Sequence, residues 1–164
     1  MAADTLSTLA TLAGTRLKAR RAMLATAESC TGGGIAAAVT AIAGSSEWFD
    51  RGFVTYSNQA KEDMLGVPRE VLEAHGAVSE PVAREMALGA LRHSQAQWSV
   101  AVTGIAGPGG GSEAKPVGTV CLGWAGPSGA RVVTRHFEGD REQVRRQTVI
   151  AALQGIIESL EEGA

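Results

Sequence analysis

The chain has 164 residues, 15 lysines and arginines against 17 aspartates and glutamates, and a formal net charge of −2. That length suits one compact domain spanning 1–164, able to bury roughly two-thirds of its unfolded surface without help from a disulfide or metal. A hydrophobic fraction of 45% with 20% charged residues excludes a disordered chain, and the absence of a cationic excess argues against a nucleic-acid binder. The 21 glycines follow no Gly-X-Y period. Cys30 and Cys121 lie far apart with no Cys or His at ligand spacing, so neither a disulfide framework nor a metal site is expected, and no cofactor is called for. The start of the chain lacks a signal-peptide pattern, and no apolar run reaches the roughly 18 residues of a membrane span. The expectation is a cytoplasmic protein.

In chain order, Leu6, Leu9, Ala13 and Leu17 recur at helical steps between Asp4 and Arg21, with Asp4 or Thr5 as cap. The run Met23–Ala27 reads as a strand, followed by Glu28-Ser29-Cys30-Thr31-Gly32-Gly33-Gly34 and an alanine-rich helix over Ile35–Ile42. Strand, glycine turn and helix open a βαβ unit. Residues 52–57 read as a second strand, Asn58 as the cap of a helix to about Leu65, and Arg69–Ala74 as a short helix between Pro68 and Gly76. Ser79 caps a further helix through Val82, Met86, Ala90 and Leu91. Trp98–Thr103 is a third strand, and Gly104–Pro116 is a glycine-rich loop. Gly118–Trp124 and Arg131–Phe137 form a hairpin about Gly126-Pro127-Ser128-Gly129, and Asp140–Leu160 is a long final helix.

The first three strands are joined by helical crossovers and should be parallel; the fourth follows a helix-free loop and should run antiparallel. The expected fold is an α/β three-layer sandwich, with a mixed five-stranded sheet ordered 2-1-3-4-5 and strand 4 antiparallel. That order puts a topological switch between strands one and three, where open α/β sheets bind ligands. The segments leaving strands one, two and three there are Ser29–Gly34, Tyr56–Lys61 and Thr103–Pro116.

Ser29-Cys30-Thr31-Gly32-Gly33 can present a helix N-terminus to an anion or oxyanion, or can be a tight turn in which Ser29 or Thr31 caps the helix. It is neither a Walker loop nor a Gly-x-Ser-x-Gly elbow. None of His75, His93 and His136 sits at the carboxyl ends of strands one to three, which disfavours a Ser-His-Asp triad. Lysine is scarce, at Lys18, Lys61 and Lys115, and two of the three fall in the candidate loops. A desolvated lysine can lose its proton where arginine cannot, so Lys61 is a candidate base for Ser29; the alternative is a solvated helix residue beside Glu62 and Asp63. Tyr56 can orient a substrate, relay a proton or pack. Thr103-Gly104-Ile105-Ala106-Gly107-Pro108-Gly109-Gly110 can form an anion nest or a mobile, structureless loop. Arg141 and Arg145, one helical turn apart, can clamp a phosphate or form a solvated basic face.

Five ordered blocks, Ala27–Gly33, Tyr56-Ser57-Asn58-x-x-Lys61, Gly76–Ser79, Thr103–Pro108 and Lys115–Val120, together resemble the CinA C-terminal domain family over roughly residues 5–160. The resemblance implies hydrolysis of the carboxamide of nicotinamide mononucleotide (NMN), to nicotinic acid mononucleotide and ammonia. It implies Ser29 as nucleophile, Lys61 as its base and Tyr56 nearby, without a metal. Substrate contacts are then expected from Cys30, Thr31, Gly32, Gly33, Asn58, Thr103, Gly104, Gly107, Lys115, Arg141 and Arg145. The resemblance also implies a stand-alone form, with a homodimer compatible. The alternatives are a non-catalytic nucleotide-binding module and a regulatory protein linked to competence or DNA damage.

Overall fold

Second in the sheet is β1 (Leu24–Glu28), flanked in parallel by the edge strand β2 (Phe49–Val54) on one side and by β3 (Trp98–Gly104) on the other. Beyond β3 the antiparallel strands β4 (Thr119–Gly126) and β5 (Gly129–His136) complete the order β2-β1-β3-β4-β5. The computed structural model describes residues 2–162; Met1, Gly163 and Ala164 of the expected 1–164 domain lie outside the described residues. Order and strand directions agree with the expectation from the connections.

Helices cover both faces. On one side α1 (Ala2–Ala19), α2 (Gly34–Thr40) and α6 (Arg141–Glu162) pack on Leu24, Val100, Val102, Val120 and Leu122. On the other, α3 (Asn58–Leu65), α4 (Arg69–His75) and α5 (Glu80–Arg92) pack on Ala25, Ala27, Ala101 and Ala125. Side chains alternate across a sheet, so bulky residues face α6 and alanines face α5. The small side lets α5 come close: a Cβ on Gly123 would sit 2.9 Å from the Ala83 carbonyl oxygen.

Several boundaries differ from the sequence reading. The second strand ends at Val54, opposite Glu28, three residues before its expected end. Thr55 and Tyr56 have high strand propensity, but β1 offers no partner further along, so the chain turns into α3. Ser57, not Asn58, caps that helix: its hydroxyl accepts the Ala60 N–H at 3.0 Å. The strand begins at Phe49 because Asp50 and Arg51 are tolerated on an edge, where Asp50 accepts the Gln95 N–H. Asp4 and Thr5, the expected caps, lie within α1, which begins at Ala2 and ends at Ala19 rather than Arg21. The hairpin is tighter than expected, with Gly126 paired to Gly129. A short 3-10 turn at Ser45–Glu47 has no counterpart in the sequence reading. Asp140 lies just outside α6 as its cap, exchanging hydrogen bonds with Gln143.

Gly89 decides how closely α3 docks on α5, because a Cβ there would overlap the Leu65 carbonyl oxygen. Helix propensity alone favours Gly89→Ala by up to about 1 kcal/mol. Overpacking costs about 1–3 kcal/mol, and here the obstacle is backbone rather than a flexible side chain. Gly89→Ala is therefore expected to lower the midpoint of chemical denaturation, and an unchanged or raised midpoint would show that α3 can shift freely.

Candidate active site

The segments leaving β1, β2 and β3 surround a cleft of about 300 Å³, at the low end for small-molecule sites. Ser29 and Lys61 meet at its floor, with Lys61 Nζ 3.1 Å from Ser29 Oγ. Ser29 follows directly on β1 and its N–H bonds the Val102 carbonyl, so its backbone is tied to the adjacent strand β3. Lys61 comes from the second turn of α3 and is only 1% exposed. Its amine also reaches the Thr55 carbonyl at 2.9 Å and the Tyr56 carbonyl at 3.4 Å. Its sequence neighbours point elsewhere, Glu62 pairing with Arg69 and Asp63 accepting from Gln59. Among the described residues no carboxylate is paired with Lys61. Burial therefore brings its pKa down to about 8, opposed by nearby Cys30. The same burial pushes the Cys30 thiol up to about 11, which keeps it neutral near pH 7.

Glu28, one residue before Ser29, is as buried as Lys61 but faces the other side of the sheet. Its carboxylate accepts the Ile35 N–H at 2.9 Å, the Ala36 N–H at 3.0 Å and the Thr31 hydroxyl. It thus occupies the N-terminus of α2, where the sequence suggested a site for an anion or an N-cap from Ser29 or Thr31. The N–H groups on either side are used as well, Gly34 on the Thr31 carbonyl and Ala37 on the Gly33 carbonyl. Gly32 and Gly33, at φ +57° and +106°, carry the chain through the left-handed turn into α2. Thr31, Gly32 and Gly33 do not line the cleft.

The rim unites residues far apart in sequence. Cys30, Tyr56, Asn58, Thr103, Gly104, Gly107 and Arg141 all line the cleft with Ser29 and Lys61. Tyr56 is 64% exposed, and its hydroxyl lies 3.3 Å from Arg141 Nη2 rather than on Ser29 or Lys61. Arg141 Nη1 donates to the Gly107 carbonyl at 2.8 Å. Thr103 donates its hydroxyl to the Ala77 carbonyl. Lys115 does not line the cleft; its amine donates to the His75 carbonyl and ties the glycine-rich loop to the end of α4. Arg145 does not line it either, being bonded to two backbone carbonyls of the Ser29 turn.

Sequence reasoning did not assign Glu28, nor the apolar wall formed by Ala77, Val78, Ile105 and Ala106. The signal for Glu28 was an acid at a strand end just before a helix whose first turn holds no capping side chain. Another cleft, of about 260 Å³, opens at the opposite end of β3 between Trp98, Trp124 and Arg131. There Arg131 stacks on Trp124 and donates to Gly155 and Ser159, so its guanidinium is already used within the fold. Among the described residues no cluster of His, Cys, Asp and Glu could hold a metal ion, and no helix is long and apolar enough to cross a membrane.

Comparison with known proteins agrees with this architecture. The CinA C-terminal domain matches residues 6–160. The nicotinamide-nucleotide amidohydrolase PncC of Escherichia coli (strain K12) is 58% identical over 142 residues, covering 86% of each chain. That of Pseudomonas putida is 55% identical over 157 residues, covering 94% of this chain and 97% of its own. The crystal structure of the competence damage-inducible protein A from Klebsiella pneumoniae subsp. pneumoniae MGH 78578 superposes with a TM-score of 0.94 at 39% identity, over 97% of this chain and 99% of its own. On sequence and fold alike, the chain belongs to the CinA C-terminal domain family.

Proposed function

We propose that this protein is a nicotinamide-nucleotide amidase, a hydrolase that converts the carboxamide of NMN to a carboxylate and releases ammonia. The observation that carries the reading is the buried Lys61 amine on the Ser29 hydroxyl. The amidohydrolases named above, alike over most of their length, supply the substrate. A module that only binds nucleotides gains nothing by burying a lysine against a serine, since desolvating the amine destabilises the fold. Catalysis in the cytoplasm, with no nucleic acid or membrane involved, belongs to the same reading.

The chemistry follows from counting the donors on Lys61. As an ammonium it has three N–H groups, for Thr55 O, Tyr56 O and Ser29 Oγ. On losing one proton it keeps two, for the two carbonyls, and turns a lone pair toward the Ser29 hydroxyl. Ser29 then donates its proton to Lys61 as Oγ attacks the carboxamide carbon. The tetrahedral adduct collapses as Lys61 returns that proton to the departing nitrogen, and ammonia leaves. Water, deprotonated by Lys61, splits the resulting ester, restores Ser29 and releases the acid. Tyr56 and Asn58 wall the cleft beside the pyridine ring, and Thr103 and Gly104 close it from the β3 side. Arg141 is the cation at the rim for the phosphate, which would replace the Gly107 carbonyl and the Tyr56 hydroxyl as its partners.

Ser29→Ala should lower ammonia release from NMN by a factor on the order of 10⁵ while leaving the fold and NMN binding intact. Near-normal release by that variant would overturn the nucleophile and the mechanism with it.

The depressed Lys61 pKa sets a pH dependence. Below about 8 the amine is protonated and inactive as a base, so kcat/KM should fall about tenfold per pH unit and level off above that value. Lys61→Arg keeps the charge but cannot give up a proton, and should lose activity by about 10²–10⁴-fold, like Lys61→Met. Substantial turnover by Lys61→Arg with the same acidic limb would place the base elsewhere.

Arg141→Ala removes a charge-assisted contact of about 1.5–3 kcal/mol, so KM for NMN should rise by roughly 10- to 100-fold. The phosphate-free nicotinamide riboside should be processed almost as before. Equal losses on both compounds would remove Arg141 from phosphate recognition.

A further inference from the structure

We propose that Arg145 is a positioning residue that sets the oxyanion-binding geometry of the Ser29 turn by clamping two consecutive backbone carbonyls. The proposal rests on the amidase reading and adds a role that the cleft lining alone does not suggest.

The guanidinium of Arg145 reaches from α6 to a segment more than a hundred residues earlier. Nε donates to the Cys30 carbonyl and Nη2 to the Thr31 carbonyl, each at 3.1 Å. A planar fork suits two acceptors held side by side, which a lysine amine cannot match. A trans peptide sends its C=O and N–H to opposite sides. Drawing these two carbonyls toward α6 therefore turns the N–H groups of Thr31 and Gly32 away from it. The Gly32 N–H closes the turn on the Ser29 carbonyl at 3.0 Å. With the Ser29 carbonyl facing into the turn, the Cys30 N–H points out of it.

Accounting for the donors near Ser29 narrows the choice. Ile35 and Ala36 donate to Glu28, Gly34 to the Thr31 carbonyl and Gly32 to the Ser29 carbonyl. Among the described residues the Thr31 N–H meets no acceptor and the Cys30 N–H meets only its own thiol, and Cys30 lines the cleft beside Ser29. Of the two, the Cys30 N–H belongs to a residue that lines the cleft and is the amide left to meet the negative oxygen that develops when Ser29 attacks, with the Thr31 N–H one peptide further along the turn. Their direction depends on Arg145, because Gly32 and Gly33 leave the turn easy to distort. Released from the fork, the Cys30–Thr31 peptide can rotate and bring a carbonyl oxygen where an N–H is required. Arg145 is then distinct in task from Arg141 one turn earlier, which lines the cleft where Arg145 does not.

The test compares Arg145→Lys and Arg145→Met with the unaltered protein, using NMN, nicotinamide riboside and a fluorophosphonate that labels the active serine. Loss of an aligned oxyanion donor costs roughly 10²-fold, so kcat should fall by about that factor in both variants. KM for NMN, the preference for NMN over the riboside, and the acidic limb governed by Lys61 should not change. A fall in that preference would make Arg145 a phosphate contact, and full kcat in Arg145→Lys would show that charge without the fork suffices; either overturns the proposal. Loss of the fold in both variants, read by thermal melting, would reduce Arg145 to a structural tie and overturn it as well. If the unaltered protein releases no ammonia from NMN, the amidase reading fails by itself. Labelling of Ser29 then decides: slower labelling of Arg145→Lys by a similar factor supports the positioning role, and equal labelling ends it.

Discussion

A lysine amine buried without a carboxylate is the constraint around which this molecule is arranged. Bringing the Lys61 pKa from its ordinary value to about 8 costs the fold about 3 kcal/mol near neutral pH, a sizeable part of a small domain's stability. Three features hold the amine there against that cost. The close contact of α3 with α5 at Gly89 seats the helix deep against the sheet. The early end of β2 turns the Thr55 and Tyr56 carbonyls onto the amine. The sheet order places β1, with Ser29 at its end, next to β2.

Glu28 shows how the same problem is managed on the acidic side. A carboxylate one residue from Ser29 and free to turn would pair with Lys61 and hold it protonated. Instead it is fixed on the first turn of α2, where two N–H groups and the Thr31 hydroxyl satisfy it. Alternation along β1 sends Glu28 and its neighbours to opposite faces, which keeps acid and amine apart without distance in sequence. The helix N-terminus, which loop-to-helix junctions often offer to a ligand, is here spent on a side chain of the protein itself.

What could be read in the sequence follows from what the physics makes local. Helical crossovers and a helix-free loop determine strand direction, so the 2-1-3-4-5 order was legible. Capping was legible at Ser79 but misplaced by one residue at Ser57, because adjacent Ser57 and Asn58 are both good caps. For Lys61 the composition left a solvated and a buried reading open. The spacing to Leu65, four residues on and fully buried, puts both on one helical face and was the available signal. The bonds of Arg145 and Lys115 were not legible, since their acceptors are backbone carbonyls, which every residue carries. A basic side chain in a sequence suggests an anionic ligand, whereas these two fasten loops.

The unpaired state of Lys61 also bears on how the proposed reaction ends. Hydrolysis replaces a neutral carboxamide by a carboxylate, so the cycle closes with a new negative charge beside the lysine. An ammonium there would grip the acid and slow its departure, and the acid would in turn stabilise the ammonium. Burial destabilises that ammonium, so Lys61, with its pKa brought down to about 8, gives up its proton to solvent more readily than an exposed lysine would and holds the acid less firmly. The property that suits Lys61 to the proposed role of base thus also shortens the stay of the acid in the cleft.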